Sequence, residues 1–126
     1  MAKKKIFISC PMKGRTDENI QLSIRKMHLI AEILAGEELE LIETFVEGAN
    51  KDLPLVCLGE SIKRMQDADC FIGVDDIYAW NGCRIERDVF ELYKGSKNIF
   101  RVDGRTLMPD AYQIYATSEP VCTRAY

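Results

Sequence analysis

Residues 70–102 read CFIGVDDIYAWNGCRIERDVFELYKGSKNIFRV, and this stretch predicts the fold. It contains two short apolar runs, 70–74 and 98–102, whose residues favour β-strands. Between them, residues 81–95 place polar and apolar side chains on opposite faces of a helix. A strand, a helix and a second strand at this spacing predict two parallel strands joined by a right-handed helical crossover.

The same alternation continues through most of the chain. Residues 5–9 form a strand-like run that ends at Pro11, and helical periodicity follows from Thr16 to Gly36. Residues 39–46 favour a strand, and apolar positions within 55–65 repeat at helical spacing. This order predicts a small doubly wound, Rossmann-like α/β domain with about four or five parallel strands and helices on both faces of the sheet.

Length and composition predict a single globular domain spanning residues 1–126. The chain of 126 residues is 47% hydrophobic and 29% charged, which is typical of one soluble domain with one core. We expect that core to span about residues 4–102. The tail, 103–126, shows no clear periodicity, although AYQIYA at 111–116 fits an edge strand or a dimer contact.

Several classes of protein are disfavoured by the same features. A formal charge of -3 provides no general attraction for a nucleic acid polymer. The apolar run after Lys3, Lys4 and Lys5 is too short for a signal peptide or a membrane span, so we expect a cytoplasmic protein without a membrane partner. Five cysteines without a Cys-x-x-Cys pair, and one histidine, predict neither a disulfide framework nor a metal site.

Glu86 is the charged residue that does not fit its helix. It falls between Phe90 and Tyr93 on the apolar side, whereas the neighbouring charged residues share the polar face. A carboxylate near a helix N-terminus offsets the macrodipole by about 0.3–1 kcal/mol. An unpaired buried carboxylate costs several times more. Glu86 is therefore expected to pair with a buried cation or hydroxyl, or to line a cavity that admits a ligand.

Ligands of doubly wound sheets bind beyond the carboxyl ends of the strands, which here correspond to segments 9–14, 45–47 and 74–81. In the last segment, Asp75 or Asp76 can hydrogen-bond sugar hydroxyls or protonate a leaving group, and Tyr78 and Trp80 can stack on a planar base. A solvated turn with Trp80 over the core explains the same residues equally well. Cys83, near the helix start, is a weaker nucleophile candidate.

The first of these segments has the composition of an anion site. Lys13, Gly14 and Arg15 directly precede a predicted helix N-terminus, where backbone N–H groups and cations favour a phosphate or carboxylate. A solvated turn followed by an N-cap is the structural alternative. The segment contains neither the Gly-x-Gly-x-x-Gly motif nor a Gly-Lys-Ser/Thr phosphate loop.

Three stretches together resemble the nucleoside 2-deoxyribosyltransferase-like superfamily, and most closely its DUF4406 subgroup. They are IFISCPMKGRTDE at 6–18, LGESI at 58–62 with DAD at 67–69, and GCRIE at 82–86. The resemblance implies a flavodoxin-like sheet, a homo-oligomer, no cofactor, and a glutamate at position 86 that attacks the anomeric carbon of a deoxynucleoside. It also implies that the first loop holds a 5′-phosphate. Characterised members often carry Tyr at the position of Phe7, where its hydroxyl orients the glutamate.

These arguments predict cleavage or transfer at the N-glycosidic bond of a 2′-deoxynucleoside or its 5′-monophosphate. The alternatives are a non-catalytic module on the same fold that binds a nucleotide or a nucleotide-derived signal, and an oligomeric interaction protein. The catalytic candidates are Glu86, Asp75 and Asp76. The substrate-binding candidates lie in the three segments of the resemblance and the 74–82 loop: Ser9, Cys10, Met12, Lys13, Gly14, Arg15, Ser61, Tyr78, Trp80, Asn81 and Gly82.

Overall fold

The computed structural model describes residues 2–44 and 53–116, with side chains described up to residue 112. Strands β1 (Lys4–Ser9), β2 (Leu39–Leu41), β3 (Cys70–Val74) and β4 (Ile99–Val102) form one sheet. Their order is β2-β1-β3-β4 and each neighbouring pair is parallel. This is the start of the flavodoxin-like order, which confirms the predicted α/β class and its parallel sheet.

The helices follow the strands as the periodicity predicts. They are α1 (Asp17–Ala35), α2 (Pro54–Arg64), α3 (Asn81–Lys94), α4 (Gly104–Leu107) and α5 (Pro109–Ala116). The side chain of Thr16 caps α1 by accepting a hydrogen bond from the Asn19 backbone N–H, and α1 ends at Gly36, whose φ of 72° is left-handed. Both predicted boundaries of α1 are therefore confirmed. No helix in the described ranges combines the length and the hydropathy that a membrane span needs.

Two predicted strands differ from the structure. Residues 111–116 belong to helix α5 and do not form an edge strand. Pro109 suits the first turn of a helix, and the adjacent residues Ala111 and Tyr112 are both buried, which the alternation of a strand does not produce. Strand β2 ends at Leu41, so it is shorter than the predicted 39–46, and residues 45 and 46 lie outside the described residues.

The core has two layers, one on each face of the sheet, because strand side chains alternate between the faces. On one face, α1 and α5 cover even-numbered strand residues such as Ile6 and Ile72. On the other face, Phe7 stacks on Phe71 with ring centroids 5.7 Å apart, and Phe90 of α3 covers them. Helices on both faces are thus confirmed. The first layer also includes Tyr112, so the tail contributes to the core.

The order of the strands reverses at β1, since the chain adds β2 on one side of it and β3 on the other. Ser9, the last residue of β1, lies opposite Gly73 of β3 in the register. A crevice at this reversal point, beyond the carboxyl ends of the strands, is where doubly wound sheets bind ligands. Ser9 and the side chains around it therefore occupy the place in the fold that most often carries function.

Candidate functional site

Glu86 is buried beside Ser9, at the point where the strand order reverses. It lies in the second turn of α3, where it is 7% exposed. Its Oε1 accepts a hydrogen bond of 2.7 Å from the Ser9 hydroxyl, and the hydroxyl of Ser61 in α2 lies close enough to lower the pKa of the carboxyl group. The expectation that Glu86 pairs with a buried hydroxyl is confirmed. The site thus joins the end of a strand to two helices that cover the same face of the sheet.

Strand alternation explains how Ser9 reaches the carboxylate. Ser9 follows Phe7 by two residues, so both side chains point to the face covered by α2 and α3. Phe7 is fully buried against Phe71, and its side chain has no hydroxyl that could donate a hydrogen bond to Glu86. Ser9 supplies the hydroxyl one pleat further along the strand. Sequence reasoning placed Ser9 in the phosphate loop and missed this role, although the spacing from Phe7 was the signal that could have revealed it.

The surroundings of Glu86 change its acidity. Burial, the largest effect, raises the pKa of its carboxyl group, whereas the hydrogen bonds from Ser9 and Ser61 lower it, and the result is about 7 instead of 4.5. The hydroxyls are neutral donors, so they compensate for burial less than a cation would. Glu86 therefore exists in both its protonated and its ionised form near neutral pH.

This pKa has a consequence for stability. The folded state holds the Glu86 proton more tightly than the unfolded chain, so stability falls as the pH rises from 4.5 through about 7 and then levels off. We expect Glu86→Gln to remove this dependence, leaving the variant more stable relative to wild type at pH 8 than at pH 5 by about 2.5 kcal/mol. Urea unfolding of both proteins at the two pH values measures the difference. Equal relative stabilities would contradict a carboxyl group with a raised pKa.

The guanidinium of Arg15 is surrounded by protein groups that bind it, and it does not face a site open to an anion. Its side chain is fully buried, and its guanidinium donates to both carboxylate oxygens of Asp110, at 2.8 and 3.1 Å. It also donates to the carbonyl of Pro11 at 2.8 Å and to the hydroxyl of Ser23 at 2.7 Å. Because these contacts occupy its donors, Arg15 holds the first loop against α1 and α5. The predicted phosphate contact of Arg15 is replaced by this role.

The rest of the first loop is divided between core and surface. Cys10 is buried, and burial raises the pKa of its thiol to about 12 despite the nearby guanidinium of Arg15. Met12 is half-buried, whereas Lys13 and Gly14 are exposed, and Gly14 has a φ of 75° that favours glycine. Lys13 is therefore the cation that this loop presents to solvent.

The candidate residues in and after the loop that follows β3 lie in different environments. Trp80 is 2% exposed and meets Tyr112 edge-on, with ring centroids 4.9 Å apart, so it packs in the core as its structural alternative predicted. Tyr78 is exposed beneath the guanidinium of Arg84, at 4.9 Å. Two further candidates begin α3, the exposed Asn81 and the buried Gly82.

Asp75 and Asp76 belong to a different environment from Glu86. They line a cavity of about 350 Å³ together with Asp103, Arg105 and Tyr112. Burial and two hydroxyls account for the shifted pKa of Glu86, and neither aspartate contributes. The two aspartates thus line the same cavity, but their charges are not among the causes that shift the pKa of Glu86.

Cys83 is not activated as a nucleophile. It lies in the first turn of α3, and burial followed by the nearby Glu86 charge raises the pKa of its thiol well above the ordinary value. A reactive cysteine needs a stabilised thiolate, which these surroundings disfavour. Of the two candidate nucleophiles, Glu86 is therefore the group better suited to chemistry.

Comparison of the chain with models of protein families, with curated proteins and with solved structures finds no match.

Proposed function

We propose that the protein cleaves or transfers the N-glycosidic bond of a 2′-deoxynucleoside or its 5′-monophosphate, with Glu86 as the nucleophile. The observation that carries the proposal is a buried carboxylate at the reversal point of a parallel sheet, where the described residues supply it with two hydroxyls and no cation. The sequence resemblance, which puts a nucleophilic glutamate at the same position, supports it independently of this geometry.

The proposed reaction has two steps. The ionised Glu86 forms a bond to the anomeric carbon of deoxyribose as the bond from that carbon to the base nitrogen breaks, and the base leaves with the electron pair and takes up a proton. Water or a second base then attacks the same carbon and releases Glu86. The hydrogen bond from Ser9 orients the carboxylate. A neutral hydroxyl does this without cancelling the negative charge that the oxocarbenium-like transition state requires.

Recognition of a 5′-phosphate rests on fewer groups than the sequence predicted. Arg15 is occupied by Asp110, Pro11 and Ser23, which leaves Lys13 as the exposed cation of the first loop. Lys13 and the backbone N–H groups that precede α1 supply the candidate contact. Nucleosides are accordingly as good candidates as their monophosphates.

A chromatographic assay for free base tests the proposal. Wild-type protein is incubated with a panel of deoxynucleosides and deoxynucleoside monophosphates, with and without a second base as acceptor. Base release or exchange supports the glycosidic reaction, and a preference for monophosphates that Lys13→Ala abolishes identifies the phosphate contact. No turnover of any deoxynucleoside or monophosphate by folded protein contradicts the proposal.

Ser9→Ala is expected to move the pH dependence of turnover without removing it. The loss of a hydrogen bond to the ionised carboxylate raises the pKa of Glu86 further, so the acidic limb of kcat/KM, near pH 7 in wild type, moves up by about one pH unit. Rate measurements from pH 5 to pH 9 test this, with Ser96→Ala, a change at an exposed serine, as the control. An unshifted limb would mean that Ser9 has no part in tuning Glu86.

Nucleotide binding without chemistry is a second candidate, and the pKa of Glu86 favours it. A protonated carboxyl group is a poor nucleophile, but it can donate a hydrogen bond to a bound ligand. A binding module shows thermal stabilisation that rises with nucleotide concentration and releases no base. Thermal stabilisation together with base release indicates an enzyme and not a binding module.

A further inference from the structure

The outward face of α3 carries charged side chains that the glycosidic reaction does not use. They recur at helical spacing and form one surface, hereafter the charged stripe: Arg84, Arg87, Asp88 and Glu91. Arg87 is partly exposed, and the other three are exposed. Glu86 is buried on the opposite, sheet-facing side of the helix. Two cations thus precede two carboxylates along the outer surface of α3.

The order of these charges does not stabilise an isolated α3. Helices favour carboxylates near the N-terminus and cations near the C-terminus, whereas the charged stripe begins with Arg84 and ends with Glu91. For two residues four positions apart in a helix, an acidic residue before a basic one is the stronger order, and the charged stripe has the reverse. The stability of the helix therefore does not account for the pattern.

The charged stripe also lacks oppositely charged partners in the described part of the chain. None of its side chains forms an ion pair there. Arg84 stacks on the ring of Tyr78 at 4.9 Å, and stacking leaves the N–H donors at the edge of the guanidinium able to bind a carboxylate. The charged stripe can therefore accept a partner without breaking an ion pair of the described chain.

The charged stripe is complementary to its own copy in one orientation. The charges are arranged symmetrically, with opposite sign, about the midpoint between Arg87 and Asp88. In an antiparallel pair of helices centred there, Arg84 lies opposite Glu91 of the second copy, and Arg87 lies opposite Asp88. A two-fold axis makes each of these contacts occur twice. A parallel pair would instead place every charge opposite its own copy, and like charges repel.

Apolar side chains border the charged stripe on one flank. Ile85 and Leu92 are 40% and 81% exposed, and their spacing of seven residues puts them on the same side of α3. The two-fold axis of an antiparallel pair brings this flank of both helices to the same side of the contact, so these side chains are removed from water together. Exposed ion pairs contribute little individually, so the association is expected to be weak and reversible.

We propose that the protein forms an antiparallel homodimer through the charged stripe of α3, in which each arginine pairs with a carboxylate of the second copy. A helix of unrelated sequence would have to reproduce this order of charges, whereas a second copy supplies it by symmetry. Glu86 faces the sheet on the other side of α3, so the pairing does not depend on the glycosidic reaction.

Sedimentation velocity of the full chain, from about 1 to 200 µM, is the first test. Wild type is expected to shift from monomer toward dimer as its concentration rises, and less so at high salt. Arg84→Glu places like charges opposite each other twice in the dimer, so its dissociation constant is expected to rise at least about tenfold. Arg25→Glu, which makes the same change of charge at an exposed position of α1, is the matched control and should dimerise as wild type does.

A mixture of two variants tests the antiparallel arrangement. Glu91→Arg alone is expected to dimerise as poorly as Arg84→Glu, but an equimolar mixture of the two should recover wild-type association, because opposite charges again face each other at every contact. Mixing Arg84→Glu with Asp88→Arg leaves like charges opposed and should recover nothing. A monomeric wild type, equal dimerisation of Arg84→Glu and Arg25→Glu, or no recovery in the first mixture would each overturn the proposal. Because base release is not measured, none of these outcomes bears on the reaction at Glu86.

Discussion

Base release from the preferred substrate is expected to fall at least about 10³-fold when Glu86 is changed to Gln. The amide has the size of the carboxyl group but cannot form the glycosyl ester, so both bond-forming steps are lost. The measurement is the rate of free-base formation by chromatography, under conditions where wild-type turnover is proportional to protein concentration. Glu91→Gln is the matched control, because Glu91 lies on the same helix and is exposed.

The fold is expected to survive this substitution. The carbonyl oxygen of the introduced amide can still accept the hydrogen bond that Ser9 donates to Glu86, and the change removes the cost of ionising a buried carboxyl group. Circular dichroism and unfolding at pH 8 therefore serve as controls for the kinetic result. Turnover by Glu86→Gln at a rate near that of wild type would eliminate Glu86 as the nucleophile.

Arg15→Ala is expected to lower the free energy of unfolding by about 3 kcal/mol. The substitution removes the buried partner of Asp110 and leaves the Ser23 hydroxyl and the Pro11 carbonyl without their donor. Asp110 is partly exposed, so water compensates for some of the loss on its side. Urea unfolding at neutral pH measures the change.

The comparison with other variants makes this result specific. Lys13→Ala, in the same loop but exposed, is expected to change stability by less than about 0.5 kcal/mol. Arg15→Lys should recover little, because one ammonium group cannot reproduce the bidentate contact with Asp110 together with the bonds to Pro11 and Ser23. A stable Arg15→Ala variant with weakened phosphate binding would instead restore the sequence-based assignment of Arg15 to the ligand.

The contact between Arg15 and Asp110 gives the tail a definite part in the protein. Arg15 also donates to the backbone carbonyl of Asn19 in the first turn of α1, and Asp110 lies in the first turn of α5. Together they hold the first loop, which directly follows Ser9 of β1, against a helix 95 residues away. A change in the tail can therefore alter the position of the loop that follows Ser9, the hydrogen-bond donor to Glu86.

The order of strands and helices and the anomaly at Glu86 are readable from the chain alone. Each of these depends on local physics: side chains alternate along strands, recur at 3.6-residue spacing in helices, and cap helix ends from a few positions away. Thr16 and Gly36 act within one turn of α1 and were therefore recognisable. The tail was not, because α5 is short and its helical periodicity is weak.

The contacts of the polar residues, by contrast, depend on how distant segments pack together. The partner of Glu86 is 77 residues away in the chain, and the partner of Arg15 is 95 residues away, so no local pattern connects them. A basic residue before a helix looks the same in sequence whether it binds a phosphate or a distant carboxylate. Burial makes the difference, since a buried charge must find a partner wherever the fold supplies one, and packing of the sheet against α3 and α5 placed those partners.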